Sequence, residues 1–221
     1  MQKIGIVFLA SLAMLYMASC GGPSDKRAEV LERMEAGEIP ADVDVFTLDV
    51  ESSTVAWEGR RLGGGHDGTI GIKEGVFYVY EGELLAGNVL IDMNQIVVLD
   101  IQDPGMNARL KEHLESDDFF SVDTYPVAEF EITRVELSDA DYPGDNPYRV
   151  FGNMTIKGIT HGISFEANID FEEGKMLAFA DFDLDRTRWD VRYGSGRFFE
   201  DLGDRAIYDD FNLKLDMAAK Q

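Results

Sequence analysis

His66, His113 and His161, the lone Cys20, and Ser195 between Gly194 and Gly196 are the side chains best suited to chemistry in this 221-residue chain. The three histidines are spread far apart, without HExxH or any other metal-ligand spacing, so a metal site would require the fold to assemble them. His161 shares a phase with apolar residues. It is expected either as a hydrogen-bonded interior histidine or, in an enzyme acting on lipid-like substrates, as the group whose pKa a pocket would shift. Tyr193 and Arg197 occupy the outer positions around Gly194-Ser195-Gly196, so the GxSxG frame of a nucleophile elbow is missing. Gly63 to Gly68 contains the string GxGxxG, but Thr69-Ile70-Gly71-Ile72 follows with strand character. A dinucleotide site needs a helix there, so a glycine-rich hairpin is the better reading. Asp139, Asp141 and Asp145 lack the EF-hand spacing and a closing Glu, and read as a solvated turn. The 42 acids offer too many pairs to single out a glycosidase couple. No catalytic residue, cofactor or metal ligand is assigned.

Composition narrows the classes further. Twenty Lys and Arg against 42 Asp and Glu give a formal charge of −22. Phosphate backbones need a basic face, so nucleic acid is excluded as a partner. Docking on anionic lipid through a polybasic patch is argued against on the same ground. Hydrophobic residues make up 45%, enough for a substantial core. One cysteine closes no internal disulfide and builds no multi-cysteine zinc site.

The start of the chain reads as an address. Lys3 precedes an apolar run from Ile4 to Met17, shorter than the roughly 20 residues of a membrane-spanning helix. That is the form of a secretory signal. Met17-Ala18-Ser19-Cys20-Gly21 resembles the bacterial lipoprotein cleavage box, with Met17 in place of its usual Leu. The resemblance implies cleavage before Cys20 and lipid attachment to it. The alternative is an ordinary cleaved signal with an incidental cysteine. Gly21 follows, with no Asp retention signal, which favours the outer membrane, on its periplasmic or surface face. The organisation expected is a signal over 1–19, a lipidated tether over 20–44 with a short helix between Asp25 and Glu38, and a single domain over 45–221.

From Val45 onward the texture is that of half-buried strands. Ile159, Ile163, Phe165, Ala167, Ile169 and Phe171 alternate with polar residues. So do Tyr148, Val150, Met154 and Ile156; Ala178, Ala180, Phe182 and Leu184; and Phe211, Leu213, Leu215 and Met217. Ala128, Phe130 and Ile132 alternate before the phase slips to Val135, which predicts a bulge. Further strands are expected near 45–60, 67–73, 75–81 and 84–93, with turns at Lys73-Glu74-Gly75 and Glu81-Gly82 among others. A helix is expected near 106–115. Eight or nine sequential antiparallel strands would leave two long open edges, and closure into a barrel removes them. An eight-stranded barrel holds either side chains or one small ligand. Phe119, Phe120, Phe130, Met154, Phe165, Phe182, Trp189, Tyr193 and Phe211 fall on inward phases or at strand ends, where they form plain core or line an apolar pocket.

Several segments, in order, resemble the YceI-like family of bacterial secreted proteins. They are Trp57-Glu58-Gly59, Gly65-His66-Asp67-Gly68, Gly82-Glu83-Leu84, Ile91-Asp92-Met93, His113-Leu114 with Asp118-Phe119-Phe120, Gly152 to Thr160, and Asp185-Arg186 with Trp189. The resemblance spans roughly 46–217. It implies an all-β fold: an antiparallel eight-stranded lipocalin-like barrel with one short helix, and a long apolar pocket for a polyisoprenoid, quinone-like lipid or fatty amide. It implies transport, storage or sequestration at the envelope without catalysis. Met154 replaces a usual Leu, and Asp190 stands where glycine is common, which places ligand preference in question. On this basis Phe130, Met154, Ile156, Phe165, Phe182, Phe211 and Leu213 are expected to contact the ligand's tail. Phe119, Phe120, Trp189 and Tyr193 are expected at the mouth, with Arg186 or His66 meeting a polar head. Two readings compete: a filled barrel serving as an interaction lipoprotein, and an enzyme on the same scaffold.

Overall fold

The alternating runs become strands, and their apolar faces turn to a common interior. The structure, a computed structural model, describes residues 26–139, 142–144 and 147–221. The expected signal, Cys20, Asp141 and Asp145 lie outside the described residues. The strands are β1 (Glu29–Leu31), β2 (Asp44–Leu48), β3 (Thr54–Arg61), β4 (Gly64–Tyr80), β5 (Glu83–Val98), β6 (Val127–Leu137), β7 (Pro147–Ile156), β8 (Ile159–Glu172), β9 (Lys175–Asp185) and β10 (Ile207–Lys220). One helix, α1 (Pro104–Glu115), joins β5 to β6. From β3 to β10 each strand pairs antiparallel with the next, and β10 pairs back onto β3. The result is a closed eight-stranded barrel. β2 lies between β4 and β10, as β3 does, and continues its stave.

Three local expectations are revised. The strand expected over 45–60 is broken by a 3-10 turn at Val50–Ser52, where the Asp49 side chain accepts from Ser52 N. The turn expected at Lys73-Glu74-Gly75 is instead a register shift inside the single strand β4. Long-range pairing with β5 on one side and with β2 and β3 on the other outweighs a local turn signal. The helix expected between Asp25 and Glu38 does not form, because the barrel offers that segment an open edge.

That edge arises because β8 and β9 pair only from Ala167↔Ala180 to Glu172↔Lys175. Beyond Ala180 they part, and the N-terminal segment enters the gap. β1 pairs with β8 at Glu29↔Ser164, Val30↔Ile163 and Leu31↔Gly162. On the other side Asp183 N donates to Lys26 O (3.1 Å), and Ala28 N donates to Asp183 O (2.8 Å). Tyr142 Oη accepts from Asp181 N at 2.9 Å. Each buried N–H left without such a partner would cost about 1–3 kcal/mol. Ion pairs reinforce the seam: Lys26 with Asp181 at 2.7 Å, and Arg27 with both Asp185 (3.0 Å) and Asp210 (2.8 Å). A Cβ at Gly162 would approach Glu32 O to 2.2 Å, so the passing chain requires glycine there. Met34 is then held by Asn153, whose side chain accepts from its N–H and donates to its carbonyl, both at 2.8 Å. Of the 20–44 stretch, Lys26 to Met34 is thus fastened along the wall.

α1 begins as its residues dictate. Asp103 caps it by accepting from Met106 N at 2.8 Å, and Pro104 takes the first turn. Leu114 is its buried contact with the barrel. The phase slip after Ile132 is a bulge: Ile132 faces Gly152, while Arg134 faces Phe151.

Candidate functional site

The barrel is not filled. It encloses a cavity of about 220 Å³, measured as the space open to the centre of a water molecule. A single water needs only about 10–15 Å³ on that measure, so the filled-barrel expectation of room for a few waters at most fails. The wall is apolar apart from Arg186 and Tyr208. The lining residues at the β4–β5 hairpin end, such as Phe77, Leu84, Ile169 and Met176, are buried from solvent, and that end is shut. At the α1 end the lining includes Phe119, Phe120, Ile207 and the half-exposed Tyr208. The cavity reaches the surface there.

The seven residues expected to contact a tail, Phe130, Met154, Ile156, Phe165, Phe182, Phe211 and Leu213, all line the cavity. Phe165 and Phe182 stack with centroids 4.1 Å apart, and Phe130 leans on Phe165 at 5.6 Å. The stacked pair sits one inward position beyond Ala167↔Ala180. It therefore seals from inside the seam that the N-terminal segment seals from outside. Phe119 and Phe120, where the chain leaves α1, line the upper wall.

Trp189, Tyr193 and His66 do not line the cavity: Trp189 and His66 are not at the mouth, and Tyr193 stands outside the lining at the open end. Trp189 is fully buried; its indole Nε1 donates to Met154 O at 3.0 Å, and its ring meets His161 edge-on. A buried indole N–H must find an acceptor, and the β7 carbonyl draws the ring behind the wall. Tyr193 packs at 4.5 Å from His113 and 5.4 Å from Phe119, above the lining rather than in it. His66 Nδ1 contacts Asp100 Oδ2 at 2.8 Å and ties the β3–β4 hairpin to the chain after β5. Burial would raise the Asp100 pKa, but hydrogen bonds from His66 and Asp67 hold it below the ordinary carboxylate value.

Arg186 is buried and borders the cavity, but its guanidinium is already engaged. It donates to Tyr208 O (3.1 Å), Val191 O (2.7 Å) and Ile207 O (3.3 Å). Burial lowers its pKa, against the fields of Asp209 and Asp185. Its place is to stitch the 186–208 loop to β10, rather than to await a head group. Asp190 has φ +59°, the left-handed conformation that glycine adopts without cost and Asp tolerates. The usual glycine there answers a backbone requirement. The Asp190 carboxylate turns to Arg192 Nε at 2.7 Å.

The remaining chemical candidates are structural. His161 lies outside the cavity lining, with Nε2 3.0 Å from Arg188 O. Ser195 is fully buried; its carbonyl accepts from Phe198 N and Phe199 N, and its hydroxyl accepts from Arg197 N. Among the described residues no three His, Cys, Asp or Glu side chains gather in metal-binding geometry. The densest charge lies at the seam. Asp185 is buried, which raises its pKa, yet hydrogen bonds from Thr187 and Arg197 lower it below the usual value. Asp181 behaves likewise, through Lys26 and Asn212. Asp210 goes the other way. Burial, then Asp185, Asp183 and Asp209, lift its pKa despite Arg27.

Sequence reasoning missed a broad part of the wall: Trp57, Val89, Ile91, Met93 and Ile96. Val89, Ile91 and Met93 alternate visibly, so their inward phase was available. Trp57 lines the wall because Gly68 lies opposite it; a Cβ there would come within 2.7 Å of the indole ring.

Comparison with known proteins agrees with this architecture. A search of curated proteins found no sequence match. The crystal structure of Burkholderia cenocepacia BcnA superposes with a TM-score of 0.58 at 18% identity, covering 78% of this chain and 99% of that one. A polyisoprenoid binding domain from Saccharophagus degradans implicated in plant cell wall breakdown gives 0.57 at 11% identity, covering 79% and 97%. At these identities the likeness is one of fold. The model of the YceI-like domain matches residues 46–219, and by that match the chain belongs to the YceI-like family.

Proposed function

We propose that this protein holds an elongated apolar ligand, such as an isoprenoid, quinone-like lipid or fatty amide, inside the barrel for transport, storage or sequestration. The observation that carries the reading is the apolar cavity of about 220 Å³, shut at one end and open at the other. The mechanism is burial. At roughly 25 cal/mol per Å², a tail of about 500 Å² gains about 12 kcal/mol gross, before the costs of ordering and association. With Arg186 committed to backbone carbonyls, affinity comes from the tail, and a polar end is left at the Tyr208 opening. The family membership and the polyisoprenoid-binding description of the Saccharophagus degradans domain support the same ligand class. Catalysis has no support from His161, which lies outside the lining.

The setting belongs to the same proposal. Cleavage before Cys20 and its lipidation would hold the barrel at the envelope, with outer-membrane placement. Lys26, six residues after Cys20, is fastened to Asp181, which keeps the barrel within roughly 20 Å of the anchor. The test is native mass spectrometry of residues 21–221 purified from cells, with extraction and identification of the bound molecule. A stoichiometric apolar lipid is expected. A clean unliganded mass that also fails to take up added lipid overturns the reading.

A further inference from the structure

The open end of the barrel carries a rim of its own. Leu62, Tyr193, Phe198, Phe199 and Tyr208 are large apolar or aromatic side chains, each 40–59% exposed. They are gathered by the backbone. Ile207 pairs with Arg61, beside Leu62, and its N–H bonds to Gly194 O at 2.8 Å. Phe198 N and Phe199 N both bond to Ser195 O, and the Arg192 guanidinium lies 4.6 Å over the Phe198 ring. Tyr208 belongs at once to this rim and to the cavity lining. Charge is distributed unlike the rest of the molecule. With Arg186 buried, the stretch 186–206 exposes four arginines against four acids in a chain of net charge −22, and Arg60 and Arg61 border it.

We propose that this rim is a bilayer-docking surface, through which the cavity exchanges its ligand directly with membrane. This deepens the ligand-holding reading and rests on it. Half-exposed aromatics beside arginines suit the interfacial zone of a bilayer, where rings sit at headgroup depth. An anionic bilayer repels a strongly acidic surface within a Debye length. The near-neutral rim is therefore the face that can approach, and that orientation brings the Tyr208 opening against the acyl chains. It is not a polybasic patch: insertion of rings supplies the attraction, and the local arginines remove the repulsion.

The test uses residues 21–221, which retain every described strand, the helix and the whole core. Flotation with vesicles of phosphatidylethanolamine and phosphatidylglycerol is expected to carry the protein. Phe198→Ser with Phe199→Ser should reduce the bound fraction about tenfold. Leu137→Ser, at an exposed residue near the shut end, should leave it unchanged. Circular dichroism checks that each variant folds. Native mass spectrometry of the same samples reads ligand separately: ligand retained with flotation lost supports the rim. No ligand in any sample, with flotation intact, sinks the ligand-holding reading and leaves the rim. The rim proposal is overturned if the wild-type chain does not float or if the double variant floats equally well. It is also overturned if the double variant instead abolishes self-association in sedimentation, which would assign the rim to a second copy.

Discussion

Arg27→Ala tests whether the N-terminal segment is a structural stave of the barrel. Arg27 lies between Asp185 and Asp210 and pairs with both, at 3.0 and 2.8 Å. Asp185 keeps Arg197 (2.9 Å) and the Thr187 hydroxyl (2.6 Å) when Arg27 is removed. Asp210 does not: its Oδ1 is buried and touches Arg27 without an aligned hydrogen bond, and its pKa is already raised by burial and three neighbouring carboxylates. Removing one partner of a fully buried pair costs about 3–5 kcal/mol. Asp210 is a quarter exposed, so about 2–3 kcal/mol is expected at pH 7. With a urea slope near ~2 kcal/mol/M, the unfolding midpoint should fall by about 1 M. The sign with pH follows from the raised folded pKa. Asp210 takes up a proton in the fold before it does so in the unfolded chain, so acidification relieves the unpaired charge. The cost should therefore shrink to about 1 kcal/mol near pH ~4.5. Asp210→Asn added to Arg27→Ala should recover most of the loss at pH 7. Urea titrations at the two pH values, on both variants, decide the matter. A loss below about 0.5 kcal/mol at pH 7, or an equal loss at both pH values, refutes the reasoning.

Four further outcomes are expected. Phe165→Asp places a carboxylate against Phe182 in the cavity wall and should abolish ligand retention by native mass spectrometry; a folded variant that keeps its ligand would remove Phe165 from the site. Gly162→Ala should destabilise by about 1–3 kcal/mol, because backbone at Glu32 must move, and hydrogen exchange should accelerate first in residues 28–31. Arg186→Lys loses the planar fork that reaches three carbonyls and should lower stability by about 2–4 kcal/mol, with early exchange across the 186–208 loop. Asp181 and Asp185 have folded pKa values below their unfolded ones, so their stabilisation is present above pH ~4 and is lost as pH falls through the folded values. Melting temperatures should hold from pH 7 to about 5 and drop below about 4.

The strands were legible because period-two alternation needs only sequence neighbours. Ala178 to Leu184 and Phe211 to Met217 show their inward faces directly, and the slip between Ile132 and Val135 announces its bulge. The helix expected near 106–115 was legible for the same local reason, and it begins two residues earlier, at Pro104. Closure followed from counting strands that would otherwise expose edges, and seven of the cavity-lining residues followed from phase. What stayed hidden depends on partners far away in the chain. Nothing around Lys26 to Leu31 discloses that β8 and β9 part beyond Ala180 and leave an edge to fill. Trp57 and Trp189 look alike as large aromatic residues, yet one lines the cavity and the other is drawn behind it by Met154 O. Arg186 looks free until three carbonyls from the returning loop are seen to occupy it. Side-chain direction along a strand is set by local backbone geometry, and so the sequence by itself determined the barrel and much of its lining. The partner of a buried donor or charge is set by distance in space, and so only the tertiary structure decided the seam, the mouth and which polar groups remain available to a ligand.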